Sequence, residues 1–186
     1  MESMDVQQVR RTLTRVGVVL SSDNTFPPVT LVLAGGAAGM LGGLLSTSRV
    51  TIDCAVMWSD AGDAWDRLER AAVQVASELR LMDSWLNRKC RIFAGNLALD
   101  WWDRCEPVGI FGVLTVKRIS RLDLLASKIV SAPRRPQDLK DIVSMAPTES
   151  ELDLLEQHID RVESEDLDRT SFEKQRKIIG TLRGVK

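Results

Sequence analysis

The chain has 186 residues, of which 44% are apolar, and its 25 basic and 26 acidic side chains leave a formal net charge of −1 at neutral pH. That balance gives no overall attraction to nucleic acid or to an anionic membrane. The longest apolar run, Val29–Ala34, is too short to cross a bilayer, and residues 1–11 contain no apolar signal core. We therefore expect a cytoplasmic protein with no membrane contact.

The cysteines and the histidine give no sign of a catalytic or metal centre. Cys54, Cys90 and Cys105 are widely spaced and form no Cys-x-x-Cys pair, which favours free thiols over a zinc site or a disulfide framework. A Ser-His-Asp or Cys-His site would have to use His158, the only histidine. It lies among acidic residues of a predicted peripheral helix, so we expect it to be exposed to solvent.

The first part of the chain alternates helix and strand patterns. Apolar residues at alternating spacings of three and four predict an amphipathic helix near the N-terminus, and β-branched apolar runs predict strands. The predicted elements are, in order, a helix over 6–20, a strand at Val29–Ala34, a short helix over 37–45, a strand over 50–58 and a helix over 65–79.

The later part of the chain becomes wholly helical. Residues 83–103 have little periodicity, whereas 104–120 resembles a hairpin whose second strand covers 113–119. Beyond it, sequence signals for helix starts recur at Ser120 with Asp123, Thr148 with Glu151, Thr170 with Glu173, and Pro136. We therefore predict an α/β protein, with a small mixed sheet flanked by helices at 1–119 and a helical region at 120–186 packed on it.

A possible phosphate-binding turn follows the first strand. Gly35 and Gly36 would let the backbone approach a phosphate, and the following helix would point its free N–H groups at it. Taken alone, the glycine pair is better explained as a tight turn. With Arg49, Thr51 and Asp53 following at Arg-x-Thr-x-Asp spacing, we favour a phosphate-binding turn with a carboxylate that could hold Mg²⁺.

These residues resemble a known motif. The segment GGAAGMLGGLLSTSRVTID is similar to the first motif of the nucleotidyltransferase superfamily of DNA polymerase β type, and nearest to its AbiEii-like toxin branch with uncharacterised bacterial relatives. A second block, DLLASKIVSAPRRPQDLKDI, resembles the later motif of that branch, and the triplet Trp-Leu-Asn at 85–87 resembles another recurrent element. The resemblance covers about residues 29–145. The residues that match the later motif are Lys128, Arg134, Asp138 and Asp141.

The resemblance implies transfer of a nucleoside monophosphate from a nucleoside triphosphate, with Mg²⁺, to a hydroxyl acceptor. In that scheme Asp53 and Lys128 are catalytic residues, and Asp53 also binds the metal. No general base can be assigned. The residues implied to bind the nucleotide are Gly35, Gly36, Arg49, Thr51 and Arg134.

One departure from the motif bears on activity. The superfamily uses Asp-x-Asp, with both carboxylates on one strand face, and here Ala55 takes the second position. The third acid is not evident, although Asp60, Asp63 or Asp100 could approach. The alternative function is therefore a non-catalytic relative that binds nucleotide, RNA or protein, such as a toxin–antitoxin component.

Structural roles would also explain these residues. Asp53 could form an ion pair with Arg49 or Lys128. Lys128 and Arg134 could lie at a solvated helix end. Asp138 and Asp141, three apart on one helix face, could cap the helix or bind Arg135 as readily as serve a site.

Overall fold

A five-stranded mixed sheet organises the part of the chain that the structure, a computed structural model, describes, namely residues 2–165 and 172–184. The strand order is β3-β2-β1-β5-β4, with β1 antiparallel to β2 and parallel to β5. The strands are β1 (Val29–Ala34), β2 (Cys54–Ser59), β3 (Leu86–Asn87), β4 (Glu106–Phe111) and β5 (Leu114–Arg118).

Helices surround the sheet and make up the C-terminal region, so the predicted fold class is confirmed. The first helix packs against the third, and the fourth contacts the second, fifth and sixth. Within the described ranges, no helix is both long enough and apolar enough to cross a membrane. The helices are α1 (Val6–Ser21), α2 (Gly35–Leu41), α3 (Trp65–Leu79), α4 (Arg121–Ser131), α5 (Pro136–Met145), α6 (Glu149–Glu165) and α7 (Glu173–Gly184), with 3₁₀ turns at Gly62–Ala64 and Arg91–Asn96.

The central strand builds the core and delivers the glycine pair. Leu31, Val32 and Leu33 of β1 are all fully buried, so both faces of this strand are covered. Leu114 of β5 and Val56 of β2 are fully buried beside it. The strand then runs directly into α2 at Gly35. The turn therefore lies at the carboxyl end of a strand that is paired on both sides.

Two predicted boundaries near this turn were wrong. The strand predicted over 50–58 starts only at Cys54, because Thr51 instead forms an isolated antiparallel bridge with Met4. The helix predicted over 37–45 begins at Gly35 and ends at Leu41, and Gly43 beyond it has a positive φ of 66°. The chain between α2 and β2 is therefore a loop.

The predicted helix starts of the C-terminal region are confirmed where the structure describes them. Ser120 Oγ accepts from the Asp123 N–H at 3.1 Å, and Pro136 is the first residue of α5. Thr148 and Glu151 form a reciprocal capping box. The third signal, at Thr170, lies outside the described residues.

Candidate nucleotide site

The glycine turn and the loop before β2 meet at one edge of the sheet. We name this region the sheet-edge site, comprising Gly35, Gly36, Thr51, Asp53 and Ala55. Ala34 pairs with Ala55 in register across β1 and β2. Gly35 has a φ of 68°, a conformation that costs other residues energy. The carboxylate was expected on the strand, but Asp53 precedes Cys54, the first residue of β2, and so lies at the end of the loop, two residues before Ala55.

Arg49 and Thr51 lie against the second glycine. A Cβ atom on Gly36 would lie 3.2 Å from Arg49 Nη2 and 3.2 Å from Thr51 Oγ1. Any larger residue would have to displace the guanidinium or the hydroxyl. Glycine at this position thus lets a cation and a hydroxyl approach the first turn of α2, where anions bind well.

Asp53 has an amide as its side-chain partner. Its Oδ2 accepts a hydrogen bond of 3.1 Å from Asn87 Nδ2, and Asn87 is paired with Ala55 across β2 and β3. The side chain is half-buried. Neither Arg49 nor Lys128 forms the ion pair with Asp53 considered from the sequence, since both contact Asp141 instead.

Asn87 is a residue that sequence reasoning did not assign to the site. The Trp-Leu-Asn triplet belongs to the sequence resemblance, but the spacing of residues 53 and 87 does not predict that their side chains meet. Only the parallel pairing of β2 with the two-residue strand β3 brings the amide to the carboxylate. A short strand of this kind has almost no sequence signature.

The carboxylates needed for two metal ions are not assembled. Ala55 offers no ligand atom, and its Cβ is 3.9 Å from where a Cβ of Gly35 would lie. In residues 2–165 and 172–184, no three His, Cys, Asp or Glu side chains form a group that could hold a metal ion. Asp53 alone fits one Mg²⁺ held jointly with nucleotide phosphates, which is a common arrangement, but a two-metal set does not fit.

The three candidates for a replacement acid are occupied or distant. Asp60 follows the far end of β2, about 20 Å along the strand from Asp53, and accepts from the Thr30 N–H. Asp63 is exposed in the next 3₁₀ turn. Asp100 forms an ion pair with Arg104.

The third acid of the motif would be expected on a strand next to β1, but the neighbouring strand β5 carries a lysine, Lys117. Lys117 is in register with Val32, which lies two residues before Ala34 on β1. Alternation therefore places Lys117 on the same sheet face as Ala55. Its Nζ lies 5.7 Å from the centre of the Trp102 ring. This face is therefore supplied with a cation by β5.

Lys128 belongs to a separate buried group of charges, which we name the buried ion-pair cluster: Arg49, Lys128, Asp138 and Asp141. Lys128 Nζ is 2.8 Å from Asp138 Oδ1 and 2.6 Å from Asp141 Oδ2, and the residue is only 2% exposed. Arg49 binds the other oxygen of Asp141 at 2.8 Å. Two cations and two carboxylates thus offset one another inside the protein.

The electrostatics of Asp141 follow from these contacts. Burial acts to raise its pKa, but hydrogen bonds from Arg49 and Lys128 outweigh burial and hold the pKa below its ordinary value. The carboxylate is therefore ionised when it holds Arg49. Because Arg49 also lies against Gly36, the cluster connects α4 and α5 to the sheet-edge site.

Arg134 is placed elsewhere. Its side chain is exposed in the connection between α4 and α5, where its backbone N–H donates to the Ser131 carbonyl at 3.0 Å. Arg135 is also largely exposed and lies 3.3 Å from Asp138. The structure therefore brings Arg49, Thr51 and Asp53 to the glycine turn, holds Lys128 behind Arg49, and leaves Arg134 on the surface.

The thiols of Cys54 and Cys90 lie close enough to Asp53 for its charge to act on them, whereas His158 lies on α6. The three thiols are free as predicted, and burial raises the pKa of each. The expectation for His158 was wrong: it is half-buried on α6, and its Nε2 is buried without a hydrogen-bond partner among the residues that the structure describes. Burial, aided by the charge of Arg161, lowers the pKa of His158 to about 4.

Comparison with known proteins identifies the family of the chain. No curated protein and no solved structure matches the chain. A family model described as a nucleotidyltransferase of unknown function, DUF6036, matches residues 12–178, a span that includes the sheet-edge site and the buried ion-pair cluster. The chain therefore belongs to this family of nucleotidyltransferases of unknown function.

Proposed function

We propose that the chain binds a nucleoside triphosphate with one Mg²⁺ at the sheet-edge site, and that transfer of the nucleoside monophosphate is strongly slowed. The observation that carries the proposal is Ala55. It lies on the strand that starts beside Asp53, next to Gly35, and takes the place of a carboxylate. Membership of the nucleotidyltransferase family supports nucleotide binding, and the missing ligand argues against full two-metal catalysis.

Each residue of the site has a role in this proposal. The backbone at Gly35 and Gly36 receives the phosphates, and Arg49 adds a positive charge beside the turn. Asp53, oriented by Asn87, would hold a divalent cation. A divalent cation bound there neutralises phosphate charge.

Lys128 acts as a positioning residue in this proposal. It is buried and bound to two carboxylates, one of which holds Arg49. A contact with phosphate would require these ion pairs to break, at a cost of several kcal/mol (about 3–5). Placement in the AbiEii-like branch, and with it a toxin–antitoxin role, stays a prediction from the motifs.

Calorimetric titration tests the proposal. Each of the four nucleoside triphosphates is titrated into wild type, Asp53→Asn and Asp63→Asn, with and without Mg²⁺. The exposed Asp63 is the control, since it gives the same change of charge away from the site. We expect binding by wild type that strengthens with Mg²⁺, loss of the Mg²⁺ effect in Asp53→Asn, and wild-type behaviour in Asp63→Asn.

Two results would overturn the proposal. Wild type that binds none of the four nucleotides removes the nucleotide site and favours a scaffold used for contacts with RNA or protein. A Mg²⁺ effect that survives in Asp53→Asn shows that the metal is held elsewhere.

A further inference from the structure

An apolar groove lies between α5 and α7, in the helical C-terminal region. Its volume is about 520 Å³, within the range of small-molecule sites. Its lining residues belong neither to the sheet-edge site nor to the buried ion-pair cluster. The apolar residues that line it are Leu139, Val143, Ala146, Pro147, Ile178 and Leu182.

Two apolar pairs face each other across this groove. Leu139 and Val143 lie four apart on α5, and Ile178 and Leu182 lie four apart on α7, so each pair shares one helix face. Because α5 packs on α4 and α7 packs on α6, the two pairs are left without a helix between them. Val143 is 57% exposed, so the fold leaves apolar surface here in contact with water.

The polar residues of the lining favour an anion. They are Lys177 and Thr181 of α7, and no carboxylate of the described residues is among the lining. Thr181 Oγ1 donates to the Lys177 carbonyl at 2.9 Å, so its proton is used within the helix. The Lys177 side chain is exposed and forms no salt bridge with any residue in the described ranges. Its ammonium group therefore leaves an unpaired positive charge at the rim of an apolar groove.

The length of the groove limits what can occupy it. Each apolar pair spans about 6 Å along its helix, at about 1.5 Å per residue. A docked helix with anchors at i, i+4 and i+7 needs about 10 Å, and a stable protein interface buries about 800 Å² on each partner. The groove therefore fits one compact apolar group better than a partner helix.

We propose that this groove binds a small amphipathic carboxylate, with its apolar tail between the two apolar pairs and its carboxylate at Lys177 Nζ. Burial of the tail provides most of the affinity, and Lys177 provides the preference for an anion. This inference does not rest on the proposed function, because the groove shares no residue with the nucleotide site.

Calorimetric titration with octanoate and with the uncharged octanamide tests the role of Lys177. The proteins are wild type, Lys177→Gln and Lys174→Gln, since Lys174 is an exposed lysine of α7 that does not line the groove. We expect Lys177→Gln to weaken octanoate binding about fivefold, as for one partly exposed charge pair, and to leave octanamide binding unchanged. Lys174→Gln should match wild type with both ligands.

A second pair of variants tests the apolar wall. Val143→Asp puts a carboxylate into the groove, and Val18→Asp makes the same change at a valine of α1 that is similarly exposed, at 52%. Because both side chains are exposed, we expect both variants to fold. Val143→Asp should weaken octanoate binding about tenfold or more, whereas Val18→Asp should bind as wild type does.

Three results would overturn this inference. The first is wild type that does not bind octanoate, and the second is equal octanoate binding by Lys177→Gln and Lys174→Gln. The third is a wild-type dimer in sedimentation that Val143→Asp converts to a monomer, since a second copy of the chain would then cover the groove. Failure to bind nucleotides would overturn the proposed function alone and leave this groove assignment standing.

Discussion

The sheet-edge site and the buried ion-pair cluster use acidic residues in opposite ways. At the sheet edge, Asp53 is half-buried and its side chain meets one amide. In the cluster, Asp138 and Asp141 are almost fully buried and each is bound to Lys128. The first arrangement leaves a carboxylate with unused acceptor capacity, whereas the second neutralises its carboxylates completely.

This difference separates binding from stability. A carboxylate that is to meet a cation from solution must keep lone pairs free, and burial with fixed partners prevents that. Of the motif acids Asp53, Asp138 and Asp141, the last two are held by fixed partners, whereas Asp53 keeps acceptor capacity that a ligand could use. Arg49 belongs to the buried ion-pair cluster and lies against Gly36 of the sheet-edge site. The cluster therefore influences the site through the position of the Arg49 guanidinium.

Lys128→Ala gives the largest expected effect on stability. It would leave two buried carboxylates without their shared cation, which costs about 3–5 kcal/mol of unfolding free energy. Urea denaturation measures the loss, with the exposed Lys174→Ala as a control expected within about 0.5 kcal/mol of wild type. A small loss in Lys128→Ala would mean that the cluster is open to water.

Gly35→Ala tests the backbone of the sheet-edge site. An added Cβ would meet the Cβ of Ala55 at 3.9 Å, an ordinary van der Waals contact, so the cost comes from the positive φ of 68° rather than from crowding. We expect a loss of about 1–2 kcal/mol in urea denaturation. At Gly180 in α7, an added Cβ would meet no heavy atom of the described residues within 4 Å. Gly180→Ala should therefore stabilise the protein, by about 0.5–1 kcal/mol. Equal effects of the two changes would contradict the turn geometry.

Moderate acid should lower stability through His158. The folded pKa of His158 is about 4, below its ordinary 6.5, so the unfolded chain takes up the proton first as pH falls. Stability should therefore decrease between pH 6.5 and about 4, by about 1 kcal/mol for this half-buried group. His158→Gln should remove this decrease in denaturation curves measured across that range.

Asp141 of the ion-pair cluster should respond at lower pH than His158. Because the pKa of Asp141 lies below its ordinary value, its contribution is present above that value and is lost below about pH 4. If His158→Gln retained the whole decrease above pH 4, the assignment of that acid sensitivity to His158 would be wrong.

Asp53→Asn should have the smallest effect on stability. The amide oxygen can still accept from Asn87, and no buried cation loses its partner. We expect a change within about 0.5 kcal/mol, close to that of the exposed Asp63→Asn. A loss as large as that of Lys128→Ala would place Asp53 among the structural acids and erase the contrast between the two regions.

Local patterns in the sequence predicted individual helices and strands well, because each depends on residues that are close together in the chain. The apolar spacing of α1, the run of β1 and the capping pair Thr148 with Glu151 each depend on neighbours in the chain. The glycine turn with Arg49, Thr51 and Asp53 was found because these residues lie within 19 positions. The family to which the chain belongs was also indicated by these residues.

Contacts between residues far apart in the sequence could not be predicted from local patterns. The contact of Asn87 with Asp53 depends on strand order, and the burial of Lys128 depends on how α5 packs on α4. Sequence spacing left an ion-pair role for Asp53 open, and for Lys128 it favoured a solvated helix end, whereas only the family resemblance implied a phosphate role. The strand β2 starts later than predicted because Thr51 pairs with Met4, which is far away in the sequence.

The most direct test of the central claim restores the missing carboxylate. Ala55→Asp and the isosteric, uncharged Ala55→Asn are titrated with a nucleoside triphosphate at several Mg²⁺ concentrations. We predict that Ala55→Asp tightens Mg²⁺-dependent binding about tenfold and that Ala55→Asn does not, because only the carboxylate adds a metal ligand. Equal binding by the two variants would contradict the claim that Ala55 stands at a metal position beside Asp53.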